Sequence, residues 1–365
     1  MFNETEKIYW CAWKKIYAIG PKRFSLLRDY FKTMQAAWQA SDAEIQKVLT
    51  GDRTKNLEEI LTEKAKINPE KVWQEIKSAG VKIMTLLDDA YPKLLKETHS
   101  APPVLFYQGN LPDRDKISLA VVGTRAMTHF GKTATELLVE PLAQAGINII
   151  SGLALGIDGE AHKAALKAGC KTFAVVGSGL DQTYPPQHKQ LSENIIEKGG
   201  GIISEFSIDV PALPHHFPLR NRIIAGLCRG TLIIEAGEKS GALLTARNAL
   251  DENREVFAVP GDFTRPTALG PNQLIKMGAV PATKPEDILN AFELKTADAA
   301  KPKIPPKADN KEEEIILKNL TAGAKHVDEL SNLCDLDPSE VNSTLIMLEL
   351  KGRVRHIGGL NYEIC

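Results

Sequence analysis

Six short apolar runs, at 117–122, 147–150, 171–176, 202–203, 231–235 and 255–259, alternate with amphipathic stretches at about 131–145, 158–168, 187–198, 219–228 and 241–252. Runs such as ISLAVV and TLIIE do not alternate apolar with polar, so as strands they must be covered on both faces. Connections of ten or more residues are long enough to cross back over a sheet as helices and start the next strand in parallel. Few folds accept such a chain. The expected fold class is α/β, a doubly wound, mostly parallel sheet with helices on both sides.

The flanks read differently. Residues 1–88 repeat apolar residues at helical spacing, in Ile8-Tyr9-Ala12-Trp13-Ile16 and again in Phe24-Leu27-Tyr30-Phe31, which predicts a small N-terminal helical domain. Between these runs lies Ala18-Ile19-Gly20-Pro21-Lys22-Arg23, a tight turn with proline opening the next helix. The turn suits either a SAM or helix-hairpin-helix type of module or a plain helical connector, since Ala18 stands where a first glycine is usual. Residues 91–112, rich in proline, read as an extended crossing into the sheet domain at 89–293. A lysine-, alanine- and proline-rich stretch predicts a flexible linker at 294–310. Three helical patterns (311–320, 326–333, 338–350) and a hairpin over Arg353–Ile364, turning at Gly358-Gly359, then predict a winged-helix domain at 311–365.

Charge decides little. The 45 basic and 46 acidic residues give a net charge of −1, so any anion site must be local rather than a broad basic field. Five scattered cysteines, without a Cys-x-x-Cys pair, argue against a disulfide framework or structural zinc and favour a reducing cytoplasm. No run approaches the roughly 20 apolar residues of a membrane span, and the N-terminus lacks an apolar signal core.

Open α/β sheets bind ligands beyond the carboxyl ends of their strands. Gly123-Thr124-Arg125, Ser151-Gly152-Leu153-Ala154, Gly177-Ser178-Gly179-Leu180-Asp181, Ser204-Glu205 and the stretch from Ala236 to Gly241 follow successive strands here. Glycines permit close backbone approach, and helix N-termini behind them offer N–H donors, which together predict an anion-binding rim.

Three familiar chemistries fit poorly. Phe130-Gly131-Lys132-Thr133 imitates a P-loop, but Ala126 occupies the position of its first glycine. Gly177-Ser178-Gly179 begins a dinucleotide fingerprint whose third glycine would fall on Gln182. Asp158 and His162, four residues apart, could share a helix face as a metal or acid/base pair, yet no third ligand is near in sequence and local capping accounts for them. By contrast, Phe217-Pro218-Leu219-Arg220-Asn221-Arg222 sets two planar guanidinium groups at a helix start, a chemistry suited to phosphate. With Arg125, three arginines are expected to converge on one rim. No serine, cysteine or lysine stands in a recognisable nucleophile setting, so binding without catalysis, and without a cofactor or metal, is the expectation.

Val122-Gly123-Thr124-Arg125, SGLALGIDGEAHKAAL (151–166), TFAVVGSGLDQTYPPQHKQL (172–191), FPLRNRIIAGL (217–227), EAGEKSGALLTARNAL (235–250) and FAVPGD (257–262) occur in that order. Together they resemble the DprA/Smf family of DNA-processing proteins of natural transformation, over roughly residues 90–290. The resemblance implies a Rossmann-like core that binds and protects single-stranded DNA and helps load the RecA recombinase, as a cytoplasmic homodimer. It implies a pocket that includes Arg125, Gly177, Ser178, Gly179, Arg220 and Arg222, and the expected single-strand contacts extend to Gly123, Thr124, Ser151, Gly152, Leu180, Phe217, Asn221 and Ser240. Leu155 departs from the family pattern, where arginine is usual. Tyr184 and Phe217 are candidate stacking residues, as sequence-tolerant strand binders use.

Two other functions fit the sequence less well. Rossmann-like proteins of the lysine-decarboxylase-like type hydrolyse nucleoside monophosphates through a PGGxGTxxE run, but the comparable place here reads EAGEKSGALLTA. A transcriptional regulator would read duplex DNA through the winged helix. Its helix PSEVNSTLIMLELK carries two glutamates and one terminal lysine, which favours a protein-interaction or dimer role.

Overall fold

The computed structural model describes residues 4–49, 56–294, 308–320, 325–334, 336–356 and 359–364. Most of the linker expected at 294–310, and Gly358 of the expected hairpin turn, lie outside them. The chain divides into two compact units, Met1–Ile288 and Leu289–Cys365.

The first unit opens with six helices: α1 (Glu4–Lys15), α2 (Pro21–Phe31), α3 (Met34–Gln39), α4 (Asp42–Leu49), α5 (Leu57–Lys66) and α6 (Pro69–Ser78). Then come β1 (Lys82–Thr85), α7 (Lys93–Lys96), β2 (Val104–Gly109), β3 (Ser118–Val122), α8 (His129–Gln144), β4 (Asn148–Ser151) and α9 (Ile157–Lys167). β5 (Thr172–Val176), α10 (Lys189–Glu197), β6 (Gly201–Ser204), α11 (His216–Gly226) and β7 (Gly230–Ile233) follow. The unit closes through α12 (Gly241–Asp251), β8 (Glu255–Ala258), α13 (Leu269–Lys276), β9 (Val280–Pro281) and α14 (Pro285–Ala291), which runs into the second unit.

The nine strands form one sheet in the order β1-β2-β6-β5-β4-β3-β7-β8-β9. β3 to β9 pair in parallel, as the buried runs require. β2 joins β6 antiparallel and β1 joins β2 antiparallel, so the crossing expected at 91–112 contains a strand paired on both sides, with β1 at the edge. The helical segment is also tied to the sheet more closely than its composition suggests. Trp10, Trp13, Phe24 and Leu27 share one core with Phe106, Ala174, Val176 and Ile202, together with Leu191 and Ile195 of α10. The boundary expected at residue 88 therefore falls inside one compact unit. Phe173, Val175 and Ile203 point to the other face, under Ile223, Ile224, Ala246 and Leu274 of α11, α12 and α13. Neighbours in sequence thus enter opposite cores, the period-2 rule applied to a strand buried on both sides.

The second unit contains α15 (Lys311–Leu320), β10 (Lys325–His326), α16 (Val327–Cys334), α17 (Pro338–Leu350), β11 (Val354–His356) and β12 (Asn361–Ile364). Its three strands form an antiparallel sheet in the order β10-β12-β11. Ile316, Leu317, Leu330, Leu345 and Val354 form its own core. Three helices with a small sheet in this order are a winged helix.

Candidate nucleic-acid interface

From β3 the chain passes to β4, β5 and β6 on one side, then returns to β7, β8 and β9 on the other. The order of strands therefore reverses between β3 and β7, and a crevice opens beyond their carboxyl ends. Two adjoining clefts lie there. The narrower is lined by Arg125, Gly152, Ala154, Leu155, Gly177, Ser178, Tyr184, Phe217 and Arg220. Gly123, Thr124, Arg125, Ala154, Phe217, Arg220, Asn221 and Ser240 line the wider one.

Arg125 is exposed, directly after β3. Its guanidinium lies over the Phe217 ring, 5.1 Å from the centroid, and no carboxylate pairs with it among the described residues. Tyr184, itself exposed, sets its ring 5.7 Å from that of Phe217 at 32°. A cation on a ring, beside a second ring, can meet a phosphate and a base at once. That arrangement is the chemically open part of the crevice.

Arg220 also belongs to the crevice, in a different state. It is buried, with Nη1 donating to the carbonyls of Gly152 and Val175 and Nε donating to Asn221 Oδ1 at 3.1 Å. Burial pushes its pKa down to about 10; the nearby Asp158 carboxylate opposes this and Arg125 adds to it. Arg220 therefore braces the loop after β4 instead of presenting its whole fork to a ligand.

Arg222 does not reach the crevice, which corrects the expected convergence of three arginines. It donates to Ser100 O and to the Glu205 carboxylate, and Lys14 reaches the same carboxylate at 3.2 Å. Burial alone would raise the pKa of Glu205, but Lys14 and Arg222 outweigh it and hold the carboxyl below its ordinary value. The reason is geometric: residues two apart on a helix do not face the same way. The ion cluster instead fastens α1 to the end of β6.

The expected bare amides need a second correction. Asp158, in the first turn of α9, accepts from the backbone N–H groups of Gly152 (3.1 Å), Gly123 and Ala154. Burial raises its pKa, with Arg220 and these N–H groups opposing. A carboxylate of the chain's own thus occupies the donors that a phosphate was expected to find. Glu235 does likewise at α8, accepting from Thr128 N at 2.9 Å and Thr128 Oγ1 at 2.7 Å, so the P-loop imitation carries a carboxylate where a phosphate would sit.

Other expected residues serve the frame. Ser151 Oγ is buried and donates to Val121 O at 2.6 Å. Gly179 N–H donates to Val210 O, and Leu180 packs into the core, so neither lines the clefts. Gly152 admits no Cβ, because Arg220 and Asp158 press against it. Asn221 Nδ2 donates to Gly241 O at 3.2 Å, and Ser240 caps α12 by accepting from Ala242 N–H. His162 turns away from Asp158 and bonds Thr172 Oγ1 at 2.7 Å. No group of three or more His, Cys, Asp or Glu suited to a metal occurs among the described residues. Sequence reasoning gave Asp158 only a capping role; its place six residues after Gly152 at a strand end, in the first helical turn, was the signal that could have assigned it to the loops.

A doubly wound sheet with a crevice at its switch point and a winged helix following defines a Rossmann-like α/β protein. Residues 82–293 match the family described as DNA recombination-mediator protein A, and residues 299–359 match the DprA winged helix domain. The chain belongs to the DprA/Smf family. It is 48% identical to Protein Smf of Escherichia coli over 199 residues, 54% of this chain and 53% of that one. Against the Smf protein of Synechocystis it is 39% identical over 279 residues, 75% of this chain and 70% of the relative. The aligned stretch thus spans about half the length of the first relative and more of the second. The structure of DNA processing protein A from Streptococcus pneumoniae matches with a TM-score of 0.68 at 34% identity, covering 79% of this chain and 99% of that one. A Helicobacter pylori DNA processing protein A structure, described for its single-stranded DNA binding mode, matches with a TM-score of 0.53 at 27% identity, covering 58% and 95%. No helix among the described residues is long and apolar enough to cross a membrane.

Proposed function

We propose that the protein binds single-stranded DNA in the switch-point crevice, protects it, and passes it to a RecA-type recombinase during natural transformation. The observation that carries this reading is the Arg125 guanidinium on the Phe217 ring, with Tyr184 alongside. Backbone phosphate is held by the cation and any base by the rings, which gives affinity without sequence preference. The family's description as a recombination mediator and the strand-binding Helicobacter relative support the same chemistry. The reading assigns no covalent step to the crevice. A single open crevice holds a short stretch weakly, and a homodimer setting two crevices on one strand raises avidity without a new contact.

An anisotropy titration tests this. Single-stranded oligonucleotide should bind more tightly than duplex of the same length, with affinity falling steeply as salt rises. Equal affinity for both, or none for the single strand, would overturn the proposal.

A further inference from the structure

The rings at the crevice do not end at Phe217. Its neighbours at the start of α11, His215 and His216, stand 4.5 Å apart, and Tyr17 lies 5.8 Å from the first and 5.7 Å from the second. His216 is buried, stacked on Phe206 at 4.3 Å and bonded to Pro211 O, so it serves as the fixed base of the group. His215 and Tyr17 are the open members: His215 is exposed, and Tyr17 is 57% exposed, far more than a ring needed only for packing. Tyr17 sits in the turn between α1 and α2, which the Lys14–Glu205–Arg222 cluster and the Lys15–Asp209 pair (2.9 Å) lock to the sheet unit. Its position relative to the crevice is therefore built in.

We propose that this second pair of rings, Tyr17 with His215, continues the single-strand path from the crevice onto the N-terminal helical segment, each ring stacking an additional base. The proposal rests on the single-stranded DNA reading above and extends it. The strand is the occupant because His216, whose ring touches both Tyr17 and His215, sets its backbone against Gly177 of the crevice beside Phe217, so the open pair lies next to the crevice. Aromatic faces accept any base, so the extension keeps the sequence tolerance of the crevice. It also gives the turn at Gly20 a use that does not require a helix-hairpin-helix phosphate site.

The test is the length dependence of affinity in the full chain. For wild type, affinity should rise as the oligonucleotide lengthens beyond what the crevice holds. Tyr17→Ala with His215→Ala should leave the shortest binding oligonucleotide unaffected and weaken longer ones by at least about 25-fold, at least about fivefold for each of the two lost stacking platforms. Tyr17→Phe should behave as wild type, because only the ring face is used. A photoreactive phenylalanine at position 17 should crosslink a long oligonucleotide near one end and not a short one. Arg125→Ala, by contrast, should weaken every length. Loss at all lengths for the Tyr17/His215 variant, or no loss at any length, overturns the extension while leaving the crevice reading intact. Unchanged binding by Arg125→Ala would instead remove the crevice reading.

Discussion

Two regions of this chain hold arginine and lysine where a DNA-binding protein would want them, and they treat those cations in opposite ways. At the crevice Arg125 meets a ring and no carboxylate among the described residues. In the winged-helix unit, Lys351 and Arg353 stand at the entry to the wing, and both are taken up by the chain itself. Lys351 lies 2.8 Å from Asp309 and 2.6 Å from Glu313; Arg353 lies 3.0 Å and 2.9 Å from the same two. The hydrogen bonds of Arg353 and then Lys351 lower the Asp309 pKa to about 2. α17 meanwhile exposes Ile346, Met347 and Leu350, an apolar ridge in place of a basic one. A count of charges cannot separate these regions; the partners of each charge can.

The comparison breaks most visibly if the two cations of the crevice are interchangeable. They should not be. Arg220→Ala leaves the carbonyls of Gly152 and Val175 without their buried donor and Asp158 without its nearby cation, so a loss of about 3 kcal/mol or more in urea unfolding is expected. Arg125→Ala, exposed, should change unfolding by less than about 0.5 kcal/mol. Equal destabilisation by both would erase the distinction between brace and contact.

A smaller effect separates the buried frame from the open cleft by pH. Burial, with the neighbouring charges of His188 and Arg220, pushes His162 down to about 3, so the folded imidazole stays neutral where the unfolded one, near 6.5, takes up a proton. Stability should therefore fall as pH drops from about 6.5 toward 3, with a limiting slope of about 1.4 kcal/mol per pH unit from this group. His162→Gln should flatten that slope in urea midpoints taken between pH 7 and 5. An unchanged slope would show that the imidazole is not held neutral. The smallest effect belongs to the winged helix: Lys351→Ala with Arg353→Ala should leave single-strand affinity within experimental error, and a loss comparable to that of a crevice cation would reverse the comparison.

Much of this was legible in the sequence, and the exceptions have physical causes. The six buried strands announce themselves because a strand covered on both faces is apolar along its middle, with polar residues mostly at its ends. β1 and β2 do not: KIMT at 82–85 buries only Thr85, and β2 follows directly on Pro102-Pro103. Short strands half open to solvent, at the sheet's edge or next to it, look like loops. The strand ends alone placed Arg125, Gly152 and Gly177 on one rim, and the helix start at 217–222 added Phe217; all four line one cleft. What sequence could not supply was occupancy. Asp158 and Glu235 fill helix N-termini with the chain's own carboxylates, and Arg222 faces Glu205, through contacts between segments far apart in the chain.

The most direct test of the central claim is a pair of anisotropy titrations, wild type and Arg125→Ala, against the same single-stranded oligonucleotide at several salt concentrations. The loss of an unpaired guanidinium seated on a ring should weaken binding about tenfold or more and make the salt dependence shallower by roughly one phosphate contact. Binding by the variant at wild-type strength with the same salt slope would contradict the account.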